Sequence, residues 1–283
     1  MKFKHSKKLI IAVFVIAMTM IFIVWQNNDI VTSQIEYRSS KLPLEFDGYK
    51  VAHISDLHNK KFGKDQEPLL KELRKASPDI IVVTGDLIDR RRYNLETSMI
   101  FINGAVEIAP VYYVAGNHEA WSGEYRDIKS RLIEAGVEIL DDRKIEIKKG
   151  DSRIEILGLS DPAFLTNNQR KGTDSSSLER NLKDLADNSV FQILLSHRPE
   201  LFNIYADENI DLTFSGHAHG GQIRTPFIGG LVAPGQGIFP EYTQGIHKKD
   251  KSSLVVSRGL GNSLFPIRIF NRPEVVLVTF KNE

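Results

Sequence analysis

The chain has 283 residues, Lys plus Arg 37, Asp plus Glu 36, and a formal net charge of +1. That length can bury a substantial core, and 41% apolar residues with Phe 15 and Tyr 8 argue against global disorder. Cys is absent, which excludes disulfides, iron–sulfur clusters and thiolate zinc sites; any metal must be held by His, Asp, Glu or Asn. The near-neutral balance argues against a dedicated nucleic-acid binder, so no nucleic-acid partner is expected.

The charge is unevenly placed. Lys2, Lys4, Lys7 and Lys8 stand ahead of an apolar run from Leu9 to Trp25 that is broken only by Thr19. At 1.5 Å per residue this run spans roughly 25 Å, enough to cross a bilayer. Lysines precede it, and residues 26–34 contain Asp29 and no Lys or Arg. The positive-inside rule then places the N-terminus in the cytoplasm and the rest outside. The expectation is a single-pass cell-membrane protein with an anchor at 9–25, a start and linker filling out residues 1–33, and one extracytoplasmic domain over 34–283. A cleaved signal peptide is the rival reading. Its apolar core is shorter, and the best cleavage candidate, Val31-Thr32-Ser33, lies far downstream. Removal of the lysine-rich start leaves a mildly acidic body.

Residues 34–48 are open between a strand and a linker. Beyond them, β-branched runs at Val51–Ser55, Ile80–Thr84, Val111–Ala115 and Phe191–Ser196 predict buried strands. Helical patterns fall between them at 66–76, 95–108 and 124–135, the first ended by Ser77-Pro78 and the last by Gly136. Alternation at Lys144–Lys148 and Arg153–Leu157 predicts a hairpin about Gly150-Asp151. The polar stretch Thr166–Ser177 reads as a surface loop. Asp211–Ser215, Ser253–Ser257 and Val275–Phe280 read as further strands. Strand–helix repeats followed by antiparallel strands indicate a mixed α/β sandwich.

Five patches each fall just past a predicted strand: Asp56-Leu57-His58, Gly85-Asp86-Leu87-Ile88-Asp89-Arg90, Gly116-Asn117-His118-Glu119, Ser196-His197-Arg198-Pro199 and Gly216-His217-Ala218-His219-Gly220-Gly221. Ligand sites of α/β sheets form at the carboxyl ends of strands. Residues one apart on an extended backbone point the same way, so Asp56/His58 and His217/His219 can each present two ligands to one place. Carboxylates, imidazoles and an amide suit divalent Mn, Fe, Zn or Co, and Asp86 can bridge two ions. Each patch alone reads as a turn, a helix cap or a satisfied core histidine. Five in this order are hard to obtain from turn chemistry.

These blocks, over about residues 46–280, closely resemble the calcineurin-like metallophosphoesterase superfamily and, more narrowly, its bacterial membrane-associated phosphodiesterase branch. The resemblance implies a four-layer α/β/β/α sandwich of two mixed sheets with two divalent metal ions (Mn, Zn or Fe) at one edge. It places Asp56, His58, Asp86 and His219 on the first ion, and Asp86, Asn117, His197 and His217 on the second. His118 would contact the scissile phosphate, with Asp89 orienting it. Arg90 resembles a phosphate-binding arginine, although Arg90-Arg91-Arg92 also reads as a solvated loop.

The implied chemistry is phosphoester hydrolysis, most simply of a diester, by a water that two metals share, with His118 as general acid. A phosphomonoesterase or pyrophosphatase on the same site is the alternative, and a non-catalytic metal-bound scaffold a more distant one. The Gly/Pro-rich apolar stretch Ile228–Tyr242, including Phe239, reads either as a self-packed loop or as a wall for a lipid-linked substrate. Arg258 and Arg268 read as a phosphate or headgroup contact, or as solvated turn residues.

Overall fold

A computed structural model describes residues 2–165, 175–263 and 265–283, with side chains from Lys7 onward. The expected loop at Thr166–Ser177 lies largely outside these residues. Its last two positions are already helical, in Ser176–Leu185.

The apolar N-terminus forms one helix, α1 (Lys2–Asn28), longer at both ends than the run that predicts it. Most of its apolar side chains are exposed, Phe22 and Ile23 being half-buried, and within it Lys7–Asn28 is long and apolar enough to cross a membrane. After a two-residue break comes β1 (Val31–Ser39), so the chain enters a sheet before residue 34. It does so because β1 lies parallel to the last strand over its whole length, Val31 opposite Glu274 and Ser39 opposite Asn282.

The remaining elements follow in order: β2 (Lys50–Ile54), α2 (Glu67–Ala76), β3 (Ile80–Thr84), α3 (Leu95–Val106), β4 (Val111–Val114), α4 (Asn117–Ser122), α5 (Tyr125–Glu134) and β5 (Glu138–Ile139). The second half comprises β6 (Arg143–Lys149), β7 (Ser152–Gly158), α6 (Ser176–Leu185), β8 (Gln192–Leu195), α7 (Phe202–Asp207) and β9 (Leu212–Ser215). Four two-residue strands follow, β10 (Arg224–Thr225), β11 (Gly229–Gly230), β12 (Val232–Ala233) and β13 (Gly237–Ile238), then β14 (Gly245–Lys249), β15 (Ser252–Val256) and β16 (Glu274–Asn282).

Among the described residues there are two six-stranded sheets, ordered β1-β16-β2-β3-β4-β5 and β14-β15-β9-β8-β7-β6. Both are mixed: β2, β3, β4 and β5 run parallel while β16 opposes β2, and β7, β8, β9 and β15 run parallel while β6 and β14 close the ends antiparallel. The pleat explains the stacking. In β16, Val275 and Leu277 face a core shared with α2, α3 and α5, whereas Val276, Val278 and Phe280 face the second sheet. The inter-sheet core includes Tyr37, Phe191 and Phe280, with ring centroids 5.9–6.0 Å apart. A third core holds Leu178, Leu182, Phe202 and Tyr205 against Leu194 and Leu254. The result is the expected α/β/β/α sandwich. The parallel strands β2, β3, β4, β8 and β9 all end at one edge, and the five patches begin there.

Candidate metal centre

Every ligand candidate is buried at that edge. Asp56 and His58 follow β2, Asp86 follows β3, Asn117 opens α4 after β4, His197 follows β8, and His217 and His219 follow β9. One group joins Asp56, His58, Asp86 and His219; a second joins Asp86, His197 and His217. Asp86 belongs to both. In the first, His58 Nε2 lies 3.1 Å from His219 Nε2 and 3.5 Å from Asp86 Oδ2, and His219 Nε2 lies 3.3 Å from Asp56 Oδ1. In the second, His197 Nε2 lies 3.4 Å from Asp86 Oδ2, 3.1 Å from His217 Nδ1 and 3.2 Å from Asn117 Oδ1.

These separations test the fit to a cation. Ligand atoms about 2.0–2.2 Å from one ion stand roughly 3–3.5 Å apart, the spacing seen here. Buried imidazole nitrogens and carboxylates with converging lone pairs repel or leave polar atoms unpaired unless a positive charge sits between them. Without one, His197 is driven up to about 10, burial opposing it and Asp86 prevailing, and Asp86 is held well below the usual carboxylate range by His197 and His118 against burial. The site draws positive charge, and a divalent ion supplies it. The donor set fits.

The backbone is shaped for this convergence. Asp56, His58, Asp86, His217 and His219 all take positive φ, between 47° and 62°, a cost on the order of 1 kcal/mol each that clusters at functional sites. Gly216 leaves room for the approach of Ser55 and Asp56, since a Cβ there would meet Ser55 Oγ at 1.8 Å and Asp56 Oδ2 at 2.4 Å. Gly85 combines φ +81° with a Cβ position 2.3 Å from the Gly116 nitrogen.

His118 is buried beside the first group, its ring 4.4 Å from that of His58. Its Nδ1 accepts the Arg90 N–H at 3.2 Å, so the proton of the neutral ring sits on Nε2. Burial lowers its pKa to about 4 despite Asp86 and Asp89. Asp89 stands 3.7 Å from Nδ1, beyond hydrogen-bond distance; its carboxylate instead accepts from the Arg91 N–H at 3.0 Å and the Arg92 guanidinium at 2.7 Å. The expected direct orientation of His118 by Asp89 is replaced by an indirect one. Asp89 holds the 89–92 turn, and that turn aims the Arg90 N–H.

The substrate-contact candidates are less central. Arg90 lies over Trp121, 4.8 Å from its ring centroid. Arg258 pairs with Glu274 at 3.0 Å. Arg268 is buried and donates to the carbonyls of Gly261, Arg258 and Asn271 and to Asn262 Oδ1, bracing the loop whose Gly261 N–H bonds the Asp56 carbonyl. The structure thus gives both arginines partners in the fold, a carboxylate for Arg258 and loop carbonyls that need satisfying for Arg268. Phe239 is 67% exposed and does not lie among the buried ligands.

Two groups were passed over in the sequence. Glu119 is fully buried; its Oε2 accepts from the Asp86 N–H and Gly116 N–H at 2.8 Å, and its Oε1 from the Ile88 N–H at 3.2 Å. It joins the β3 and β4 loops, and burial pushes it up to about 7. Arg198 makes a two-pronged bond to Asp161 at 2.7 and 2.9 Å, and its Nη1 lies 3.3 Å from His217 Nε2. Both residues sit inside or next to the patches, and only their burial separates them from surface charges. Conversely His53, buried with Nε2 2.8 Å from Thr84 Oγ1 and lowered to about 3, is a core histidine.

Comparison with known proteins agrees with this geometry. Residues 49–221 match the model of the calcineurin-like phosphoesterase family. The chain is 31% identical over 257 residues to the uncharacterized metallophosphoesterase YkuE of Bacillus subtilis, covering 89% of this chain and 85% of that protein. It is 28% identical over 236 residues to the phosphodiesterase YaeI of Escherichia coli, covering 81% of each. A Bos taurus transmembrane protein with metallophosphoesterase domain is 24% identical over 261 residues, covering 85% of this chain and 55% of that protein. The matched family region contains all five ligand-bearing patches, the last ending with it at Gly221; the chain belongs to the calcineurin-like phosphoesterase family of metal-dependent phosphoester hydrolases.

Proposed function

We propose that the chain is a membrane-anchored phosphodiesterase with two divalent ions. The observation that carries this is the sharing of Asp86 between two buried ligand groups. Asp56, His58, Asp86 and His219 would hold one ion, and Asp86, Asn117, His197 and His217 the other. When bound, such ions lower the pKa of a water and neutralise charge developing on phosphoryl oxygens.

The protein's own residues do the rest. The His118 Nε2–H donates toward a phosphoryl or leaving-group oxygen, and the Arg90 N–H keeps that tautomer by occupying Nδ1. Asp89 fixes the 89–92 turn that carries this N–H, accepting from the Arg91 N–H and the Arg92 guanidinium. Arg198 and Glu200, packed at His217, orient that ligand from behind. The burial of the cluster excludes bulk water and strengthens each of these interactions.

The lysine-rich start and the apolar α1 support an anchor with the N-terminus in the cytoplasm and the catalytic domain outside. The name of the Escherichia coli relative supports a diester over a monoester. An extracytoplasmic enzyme beside a bilayer would meet lipid-linked phosphoesters or diphosphates. The test uses the full chain in detergent, stripped of metal and then supplied with Mn, Zn, Fe or Mg. Metal-dependent cleavage of a bis-aryl phosphodiester in preference to the matching monoester is expected. Binding of two ions without turnover of either ester would overturn the enzymatic reading for simple esters.

A further inference from the structure

The helix α1 does not hang from the domain by a flexible tether. Gln26 and Asn27 are buried in it. Asn27 Oδ1 accepts the Arg268 N–H at 2.9 Å and an Asn262 N–H at 3.1 Å, and Gln26 Oε1 accepts the Asn271 N–H at 3.2 Å. Arg272 lies over the Trp25 ring, 5.0 Å from its centroid. The helix end is therefore docked on the segment 262–272.

That docking sets a depth. Phe270 packs against Phe22, ring centroids 5.5 Å apart. Phe22 is one turn before Trp25, inside the apolar span and at the level where hydrocarbon meets the aromatic belt. Phe270 is nonetheless 51% exposed, and Phe265 and Ile267 on the same segment are 46% and 37% exposed. Large apolar side chains grouped on a water-facing loop are unfavourable unless something covers them. The neighbouring strand β10 leads to a second apolar tip, Phe227 and Ile228, both well exposed; Ile223 bridges Ile269 between the two segments.

We infer that Phe265, Ile267 and Phe270 insert into the leaflet that α1 enters, forming a second membrane contact that fixes the tilt of the catalytic domain. The occupant is a lipid surface, because α1 brings that surface to the level of Phe22. A consequence concerns the site. A pocket of about 310 Å³ lined by His58, Lys60, Lys61, Arg92 and Asn262 adjoins the first ligand group, and its Lys60 and Asn262 both bond Asn27. With the loop inserted, this cationic pocket lies at headgroup depth, where it can receive the anionic part of a bilayer-resident phosphoester.

The inference rests on the anchor proposed above, and the two can be told apart because the chain has no Cys. Single Cys residues are placed in the full-length protein at Phe265, Ile267 or Phe270, at Val15 in the middle of α1, and at exposed Leu44. Leu44 lies beyond the far end of β1, roughly 30 Å from the helix by strand rise. Each is labelled with a polarity-sensitive fluorophore and reconstituted into phosphatidylglycerol-containing vesicles with or without acyl-chain nitroxide lipids. An unchanged far-UV circular dichroism spectrum confirms folding. Blue-shifted emission and nitroxide quenching at 265, 267, 270 and 15, with neither at 44, are expected. Quenching at 15 while 265, 267 and 270 behave like 44 would overturn the inserted loop and leave the anchor standing. An aqueous probe at 15 would overturn the anchor and the inference with it.

Discussion

Glu119 shows how much of this site depends on a residue that need not touch metal or substrate. Three backbone N–H groups converge on its carboxylate, from Asp86, Ile88 and Gly116. Truncation leaves three buried donors unpaired, at about 1–3 kcal/mol for each. Glu119→Ala should lower stability by roughly 3 kcal/mol or more and weaken metal binding, checked by chemical denaturation and metal titration. An unchanged midpoint would mean that water replaces the carboxylate. His118 is expected to behave differently, because in the proposed mechanism it donates to substrate and its ring makes one hydrogen bond to the fold, from the Arg90 N–H. His118→Ala should keep both ions and lose about 10²–10⁴ in kcat; metal loss in elemental analysis would make it a ligand instead. The ligand candidates were legible in the sequence because five patches of such residue types recur past successive strands, Asp56/His58 and His217/His219 among them, and the structure gathers their Asp and His residues into two groups that share Asp86. The work of Glu119 was not, since a carboxylate in a first helical turn is equally at home as a surface cap.

At the scale of elements, the parallel strands deliver chemistry because they all end at one edge. β2, β3 and β4 read from sequence as runs of β-branched residues because they are buried on both faces. β1 was harder to read. Its alternation is weak, with one buried residue in nine, and its place comes from pairing with β16 at the other end of the chain. Non-local pairing of this kind leaves no local periodic signal. β14 was missed for a different reason: it is an edge strand with no buried residue, and its only ladder is the local hairpin with β15. Loop conformation is the other element-scale determinant. Gly216→Ala would drive a Cβ into Ser55 and Asp56. It should therefore abolish high-affinity metal binding while leaving far-UV circular dichroism native. Retained binding at wild-type affinity would show that the β9 loop can shift. Phe280 lies in the inter-sheet core with Tyr37 and Phe191. Phe280→Ala should destabilise the protein by about 3–5 kcal/mol, and a loss under 1 kcal/mol would mean that the sheets close over the cavity.

Across the whole molecule, the metal edge and the end of α1 are mechanically joined. Arg268 bonds the Gly261 carbonyl, Gly261 bonds the Asp56 carbonyl, and Asn27 bonds Arg268. The hydrophobic run marked a span, but nothing in its sequence showed that it would dock on residues 235 to 245 positions away. Lys60 lies at this junction, its ammonium bonded to the Asn27 carbonyl. Burial, reinforced by Arg268, lowers its pKa from 10.5 to about 8. Between those values the unfolded chain binds a proton that the folded chain has released, so the Lys60 contribution to stability rises as pH increases from about 8 to 10.5. Lys60→Met should flatten that part of the profile of melting temperature against pH; an unchanged slope would assign it to other groups.

Metal counting on the full-length protein bears most directly on the shared carboxylate. After stripping and reloading with Mn, wild type should hold two ions per chain by elemental analysis, and Asp86→Ala should hold neither tightly. One ion in wild type, or two retained in Asp86→Ala, would contradict a two-metal centre built on Asp86.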